Sequence, residues 1–177
     1  MKYFATIFIT IFLVGCGYQP ISKISQNLVG DRVFIDVIID KNEPKNSVFI
    51  KDAVREGIAS RLNKNLSSKN SANTFINVKT KSLSYQPTVY DEYGYITSYK
   101  ATLVLIFETK FKDDSVSEIQ TSGEYDFNIA KRIKNIRYAD SIISERERYQ
   151  AIKEASKEAF DEYVSKLAFK GHNNGSN

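Results

Sequence analysis

The alternation of apolar and polar residues first appears in a short β-branched run. Residues 32–40 read Arg-Val-Phe-Ile-Asp-Val-Ile-Ile-Asp, between Asp31 and a polar segment that contains Pro44. Such a run predicts a strand, because β-branched side chains fit a pleated and half-buried surface. The core-facing positions of this strand are predicted to be Val33, Ile35, Val37 and Ile39.

The next segment has the four-residue repeat of an amphipathic helix. Apolar residues recur at every fourth position from Ile50 to Leu62, which places them on one face of a helix. Ser47 is a candidate N-cap, so the helix is predicted to run from there to about Leu66. A polar loop over residues 67–73 follows it.

Three more strands are predicted in the centre of the chain. Residues 74–84 alternate, and residues 95–112 form the longest alternating run, with one almost wholly apolar face. Residues 118–129 follow after the polar turn 112–115, and so short a turn between long strands favours antiparallel pairing. A second turn is predicted at 91–94, which reads Asp-Glu-Tyr-Gly.

The last element is an amphipathic helix that begins with a capping box. Ser144 and Glu147 have the spacing at which each side chain satisfies a backbone N–H of the other residue. Apolar residues from Tyr149 to Leu167 then form one stripe. The order β-α-β-β-β-α predicts an α+β fold. We expect a two-layer sandwich, with both helices packed on one face of a mostly antiparallel four-stranded sheet.

The other face of that sheet would be left without a helix. Its apolar residues are predicted to be Val104, Ile106, Phe34 and Ile38, set among charged neighbours. Two interpretations stay open: a solvated face of mixed character, or a contact surface for a partner or for an amphiphile with a charged head. An apolar patch rimmed by charge is a usual mark of an interaction site.

The N-terminal residues have the character of a secretory signal. A basic start at Lys2 precedes an apolar run over residues 4–14, which is too short to cross a bilayer comfortably. The run ends in Leu13-Val14-Gly15-Cys16, which resembles the lipobox of bacterial lipoproteins. We therefore expect cleavage before Cys16 and lipidation of that cysteine; the alternative is a transmembrane stub with an incidental cysteine.

The acyl chains would anchor the protein permanently, because each buried methylene contributes about 0.8 kcal/mol. Gly17 stands after the cysteine in place of Asp, which favours the outer membrane by resemblance to the sorting rule of enteric bacteria. The expected organisation is a signal peptide, a lipidated tether, one α+β domain and a polar tail, over residues 1–15, 16–31, 32–169 and 170–177.

Composition and charge narrow the function. Hydrophobic residues make up 42% and charged residues 26% of the 177 residues, as in a globular domain. A net charge of +4, dispersed along the chain, is far below a nucleic-acid footprint. The only histidine, His172, lies in the expected tail, and Cys16 is the only cysteine, so the usual zinc sites and Cys–His dyads cannot be assembled. We predict no catalytic residue, no metal site and no cofactor, and hence no enzyme.

Two segments carry a resemblance to a known family. Cys16-Gly17-Tyr18-Gln19-Pro20 opens the mature chain, and residues 144–152, Ser-Glu-Arg-Glu-Arg-Tyr-Gln-Ala-Ile, open the final helix, which continues to Ala155 and Ala159. Together with the order of elements, these segments resemble the lipopolysaccharide-assembly lipoprotein family (LptE). The resemblance covers most of residues 16–169, by element order more than by identity.

The resemblance implies a non-catalytic role at the outer membrane. Members of that family form a plug in the lumen of the lipopolysaccharide translocon, a large outer-membrane β-barrel. They help this barrel to fold and bind lipopolysaccharide during its delivery to the outer leaflet. The domain would then lie on the periplasmic side or inside the barrel lumen. The alternative is an auxiliary lipoprotein of a periplasmic lipid transport system, with no barrel partner.

Basic side chains are the expected contacts of lipopolysaccharide, because this ligand carries phosphates. Electrostatics alone nominates three residues on the open sheet face and three after the last strand: Lys79, Lys81, Lys100, Lys131, Arg132 and Lys134. None of them matches a motif residue of the family. The alternative for a single basic residue on a strand is a contribution to solubility only.

Overall fold

The computed structural model describes residues 28–39, 44–130 and 143–174, with side chains up to residue 170. Its elements are β1 (Arg32–Val37), α1 (Pro44–Arg61), β2 (Asn65–Leu66), β3 (Thr74–Tyr90), β4 (Ile96–Lys110), β5 (Val116–Asn128) and α2 (Glu145–Asn174). The predicted α+β class and the order of the long elements are confirmed. The sheet has one strand more than predicted, the two-residue β2.

The strands form one mixed sheet in the order β2-β1-β3-β4-β5. Strand β1 pairs in parallel with both of its neighbours, whereas β3, β4 and β5 pair antiparallel through two hairpins. The first turn has Gly94 at a φ of 77°, and the second has Asp114 at a φ of 62°. Both predicted turns are therefore present, and they fix the register of the three long strands.

Strand β1 is shorter than predicted. Val33, Ile35 and Val37 are 7% exposed or less, as expected, but Ile39 is 66% exposed. Pairing with β3 ends at Val37, so β3 no longer holds the alternation beyond that point. The prediction that Ile39 faces the core was wrong.

Helix α1 begins and ends earlier than predicted. It starts at Pro44, a residue that suits the first helical turn because its φ is already fixed and no N–H is needed there. Ser47, predicted as the cap, is a buried residue inside the helix. The helix ends at Arg61, and Asn63 then takes a positive φ of 51°, which turns the chain away from the helix. Leu66 consequently belongs to β2.

Both helices pack on the same face of the sheet. The predicted helix positions Ile50, Val54, Ile58 and Leu62 are fully buried, and so are Leu103, Leu105 and Phe107 of β4. On α2, the Tyr163 ring stacks on Phe107 with centroids 4.4 Å apart, and its hydroxyl hydrogen-bonds to Thr109 at 2.7 Å. Burial raises the pKa of Tyr163 above its ordinary value, so this phenol stays neutral in the core.

Two glycines allow α2 to lie this close. A Cβ at Gly123 of β5 would lie 1.9 Å from the carbonyl oxygen of Ala155, and one at Gly57 of α1 would lie 2.5 Å from the Phe160 ring. The capping box also forms as predicted, since Ser144 N–H donates to Glu147 at 2.7 Å and Glu147 N–H donates to the Ser144 hydroxyl at 3.3 Å. The capping box therefore fixes where α2 begins, and the two glycines set how closely α2 packs against β5 and α1.

Helix α2 also covers the outer edge of β5 with charged side chains. The carboxylates of Glu162 and Glu158 each accept a backbone N–H of this edge, from Ser122 and Glu124, at 2.6 Å. The Lys166 ammonium donates to the Gln120 carbonyl at 2.9 Å. An uncovered edge strand is a template for pairing with another chain, and these bonds occupy that template on β5.

The first hairpin is longer than predicted, because β3 continues to Tyr90. Its tip, residues 89–95, exposes Val89, Tyr90 and Tyr93 by 50%, 58% and 72%. The turn is nevertheless ordered, since one carboxylate oxygen of Asp91 accepts the N–H groups of Tyr93 and Tyr95 at 3.0 and 2.9 Å. The hairpin tip therefore presents aromatic side chains on a fixed backbone.

Candidate functional site

The sheet face opposite the helices, called the open face below, carries alternate side chains of the long strands. They include Phe34, Phe75, Lys79, Lys81, Lys100, Thr102, Val104, Ile106, Glu108, Gln120 and Glu124. The alternation of burial confirms that the predicted apolar residues of β1 and β4 are on this face. Ile38, beyond the end of β1, is 48% exposed. The open face is therefore mixed, with an apolar centre and charged surroundings.

The apolar centre of the open face is a set of half-buried side chains. Val104 and Ile106 lie two residues apart on β4. The rings of Phe34 and Phe75 lie on the paired strands β1 and β3, with centroids 6.2 Å apart and tilted by 59°. An amphiphile or a protein partner would find apolar surface here that neither α1 nor α2 covers.

The predicted lysines of the open face are on it, but they are not free charges. Lys79 forms an ion pair with Glu108 at 3.7 Å, and Lys100 forms one with Glu124 at 2.8 Å. The hydrogen bond to Glu124 and the charge of that carboxylate raise the pKa of Lys100. Lys81 donates to the side-chain oxygen of Gln120 at 2.7 Å. Each cation is thus held by an acceptor on another strand of the sheet.

The three lysines do not form one cluster. Lys79 lies opposite Ile106, and Lys81 lies in the adjacent bulge of β3. Lys100 is six residues from Ile106 along β4, which corresponds to roughly 20 Å. The structure therefore brings Lys79 and Lys81 together and leaves Lys100 apart.

Other predicted functional residues lie outside the described residues. These are the lipidation site Cys16 and the second basic cluster, Lys131, Arg132 and Lys134. Within the described ranges, none of the helices is both long and apolar enough to span a membrane. The same ranges contain no group of three His, Cys, Asp or Glu side chains placed to hold a metal ion.

The structure also shows a groove that sequence reasoning missed. It lies beside β1, has a volume of about 260 Å³, and is lined by Val33, Phe34, Ile35, Lys51, Arg55, Leu66, Ser67 and Ser68. Lys51 and Arg55 are four residues apart on α1, a spacing that places both on one side of the helix. That spacing was visible in the sequence, but the groove depends on β2, which was not predicted.

Comparison with known proteins identifies the family. A family model described as LptE, lipopolysaccharide-assembly, matches residues 31–167. No curated protein matches the chain.

Solved structures of bacterial lipoproteins match the chain over most of its length. A candidate lipoprotein from Caulobacter crescentus is 7% identical, with 87% of this chain and 96% of that chain covered and a TM-score of 0.51. Rare lipoprotein B from Shewanella oneidensis is 19% identical, with 81% of this chain and 98% of that chain covered and a TM-score of 0.48. The family match spans most of the chain, including every strand and the core of both helices. The chain therefore belongs to the LptE family and is an outer-membrane lipoprotein of lipopolysaccharide assembly.

Proposed function

We propose that this chain is the plug subunit of the lipopolysaccharide translocon. It occupies the lumen of an outer-membrane β-barrel, assists the assembly of that barrel, and takes part in delivering lipopolysaccharide to the outer leaflet. The observation that carries the proposal is the family match over residues 31–167. The role is noncovalent, without a catalytic step or a cofactor, and Cys16 supplies the lipid anchor.

The surface chemistry of the domain supports a position inside a barrel. The interior of large outer-membrane barrels is polar, so a plug needs a polar exterior with few uncompensated charges. On the open face, Lys79 and Lys100 already have carboxylate partners, and on the helix side Arg61 binds Asp161 at 2.7 Å. Enclosing an unpaired charge costs more free energy than enclosing a charge that keeps its partner. Paired charges therefore suit a surface that is to be enclosed.

The hairpin tip supports contact with a protein wall. Tyr90 and Tyr93 are 58% and 72% exposed. Burial of such large aromatic side chains contributes much of the binding free energy at interfaces. Tyrosine is enriched at protein interfaces, where its ring packs and its hydroxyl finds a hydrogen-bond partner. The ordered Asp91 turn keeps the entropy cost of docking this tip low. We propose the tip as one of the contacts with the barrel.

The proposed lipopolysaccharide contacts are unequal in strength. Lys79 and Lys81 are two residues apart on β3, and both side chains extend over the same part of the open face. The pair Lys79–Glu108 is long, at 3.7 Å, and is released more easily than Lys100–Glu124 at 2.8 Å. We propose Lys79 and Lys81 as the main phosphate contacts of the open face. Lys100, Lys131, Arg132 and Lys134 remain further candidates.

Co-purification of the barrel tests the proposal. The native lipidated chain, tagged after Asn177, is purified from detergent-solubilised outer membranes. We expect a large, heat-modifiable β-barrel protein in roughly equal amount. A Cys16→Ala variant is the matched control. Because it lacks the lipid anchor, it should no longer be recovered in the outer-membrane fraction. Recovery of inner-membrane transporter subunits instead would support the auxiliary role in periplasmic lipid transport and would exclude the plug.

A further inference from the structure

The two edges of the sheet differ in how they are protected. The edge of β5 is occupied by α2, whose Glu158, Glu162 and Lys166 bind its outward N–H and C=O groups at 2.6 to 2.9 Å. The opposite edge is formed by β2 and β1, and β2 consists of only two residues. Most of the β1 edge therefore extends beyond its short neighbour.

The hydrogen bonds show which backbone groups of β1 point outward. The Ile38 N–H donates to Val78 of β3 at 2.9 Å, whereas the Val33 carbonyl accepts the Ser67 N–H on the other side, also at 2.9 Å. Because the direction alternates along a strand, Ile35 and Val37 direct their N–H and C=O groups outward, as Val33 does. Strand β2 pairs only with Arg32 and Val33. Within the described ranges, the outward backbone groups of Ile35 and Val37 therefore have no strand beside them.

The groove next to this edge is basic. Lys51 and Arg55 of α1 line it together with Ser67 and Ser68, and the apolar residues Phe34 and Leu66 also line it. Among the described residues, neither Lys51 nor Arg55 takes part in an ion pair. By contrast, Lys153 and Lys157 of α2 both bind Glu56, at 3.2 and 3.7 Å. The groove thus combines an open backbone edge with two uncompensated cations.

We propose that this β1-edge groove binds an extended, acidic segment of a partner protein. The segment adds a strand to the sheet through the outward backbone groups of Ile35 and Val37. Its carboxylates contact Lys51 and Arg55 on the helix side of the sheet, and its alternate apolar side chains lie against Phe34 on the other face. Charge decides against a second copy of this chain, because edge-to-edge pairing would bring two sets of Lys51 and Arg55 together. The inference stands on the β1 edge alone and does not depend on the plug proposal.

Binding of a defined peptide tests the proposal. The full-length chain in detergent micelles is titrated into fluorescein-labelled peptides of eight residues, one alternating Val and Glu and one alternating Val and Lys. We expect the acidic peptide to bind at least tenfold more tightly than the basic one. The double variant Lys51→Glu/Arg55→Glu should remove this preference. The matched control Arg146→Glu/Lys170→Glu has the same change in net charge on α2, which does not line the groove, and should keep the preference.

Amide hydrogen exchange by NMR tests the position of the added strand. With the acidic peptide bound, the amides of Ile35 and Val37 should exchange at least tenfold more slowly. The amides of Phe34 and Asp36 point to β3 and serve as internal controls, with unchanged exchange. Three results would overturn the proposal: no preference for the acidic peptide, equal loss in the control variant, or no alternating protection along β1. Protection that appears without peptide and rises with protein concentration would assign the groove to a second copy.

Discussion

At the scale of single residues, Gly123 shows how closely α2 approaches the sheet. A Cβ at this position would meet the Ala155 carbonyl oxygen at 1.9 Å and the Ala159 nitrogen at 2.7 Å. Both atoms belong to the helix backbone, so they cannot move aside as the end of a side chain can. Gly57 differs, because its nearest neighbours are atoms of the Phe160 ring. The two glycines therefore tolerate a methyl group to different degrees.

We predict that Gly123→Ala lowers the free energy of unfolding by about 1–3 kcal/mol, the usual range for overpacking a dense core. Gly57→Ala should cost less, because the Phe160 ring can tilt and alanine gains up to about 1 kcal/mol of helix propensity. Urea unfolding of both variants measures the difference. Ser122→Ala, beside Gly123 on the same strand, is the control and should change stability by no more than about 0.5 kcal/mol. Equal stability of all three variants would contradict the close packing of α2.

The alternation of single residues predicted the buried faces well, because a strand or helix fixes the direction of each side chain. It failed at Ile39, which is 66% exposed, since the pattern continues in the sequence although the pairing with β3 has ended. It also missed Lys51 and Arg55 as a site. Their spacing is a local property, but the groove that they line needs the chain to return as β2.

At the scale of elements, the capping box and the hairpin turns were predictable because their residues are close in sequence. The start of α1 at Pro44 and the strand β2 were not. Two residues carry no periodicity, and β2 exists because Asn65 and Ser67 bond to Asp31 and Val33, more than thirty positions earlier in the chain. The cover of the β5 edge by α2 is another long-range arrangement that no local pattern contains.

The α2 cover of β5 predicts how stability depends on pH. Burial by itself raises the pKa of Glu162, but the hydrogen bonds from Lys166 and from the Ser122 N–H, with the Lys166 charge, outweigh it and lower the pKa. A carboxyl with a lowered folded pKa stabilises the fold above its unfolded pKa of about 4.3. That stabilisation is lost as the pH falls through the folded pKa.

We therefore predict that Glu162→Gln lowers the free energy of unfolding at pH 7. The variant should also lose less stability than the unmodified chain as the pH falls from 5 to 3, a range set by the reference glutamate pKa of about 4.3. Urea midpoints of the variant and of the unmodified chain across this range provide the measurement. Glu92→Gln, an exposed substitution at the hairpin tip, is the control and should show the same pH profile as the unmodified chain. A Glu162→Gln profile that is parallel to the unmodified one would show that this carboxylate does not hold the edge.

At the scale of the whole molecule, the sequence predicted the fold class, the family and the face on which the candidate lysines lie. The electrostatic character of that face could not be predicted. The pairing of Lys79 with Glu108 and of Lys100 with Glu124 depends on the register between strands, which turns and bulges set together. The open face is consequently a surface of compensated charges, with Lys79 and Lys81 as its most accessible pair.

The tighter ion pair of Lys100 predicts unequal effects of charge reversal on lipopolysaccharide binding. Lys79→Glu/Lys81→Glu should weaken binding of purified lipopolysaccharide at least tenfold, because two adjacent phosphate contacts are lost. Lys100→Glu should weaken it less, since Glu124 holds that ammonium at 2.8 Å. Titration of the tagged chain with labelled lipopolysaccharide measures both, with Lys112→Glu as the control. A larger loss at Lys100 than at the adjacent pair would reverse the proposed assignment.

Site-specific photo-cross-linking in living cells tests whether this chain is a plug, because a plug is surrounded by its barrel. A photoreactive residue is placed at Ser60 on α1, at Ser84 on the open face, or at Tyr93 in the hairpin tip, three exposed positions on different sides of the domain. We expect a cross-link to the same outer-membrane β-barrel from all three positions. Cross-links from one side only, or to inner-membrane proteins, would contradict a position inside the barrel lumen.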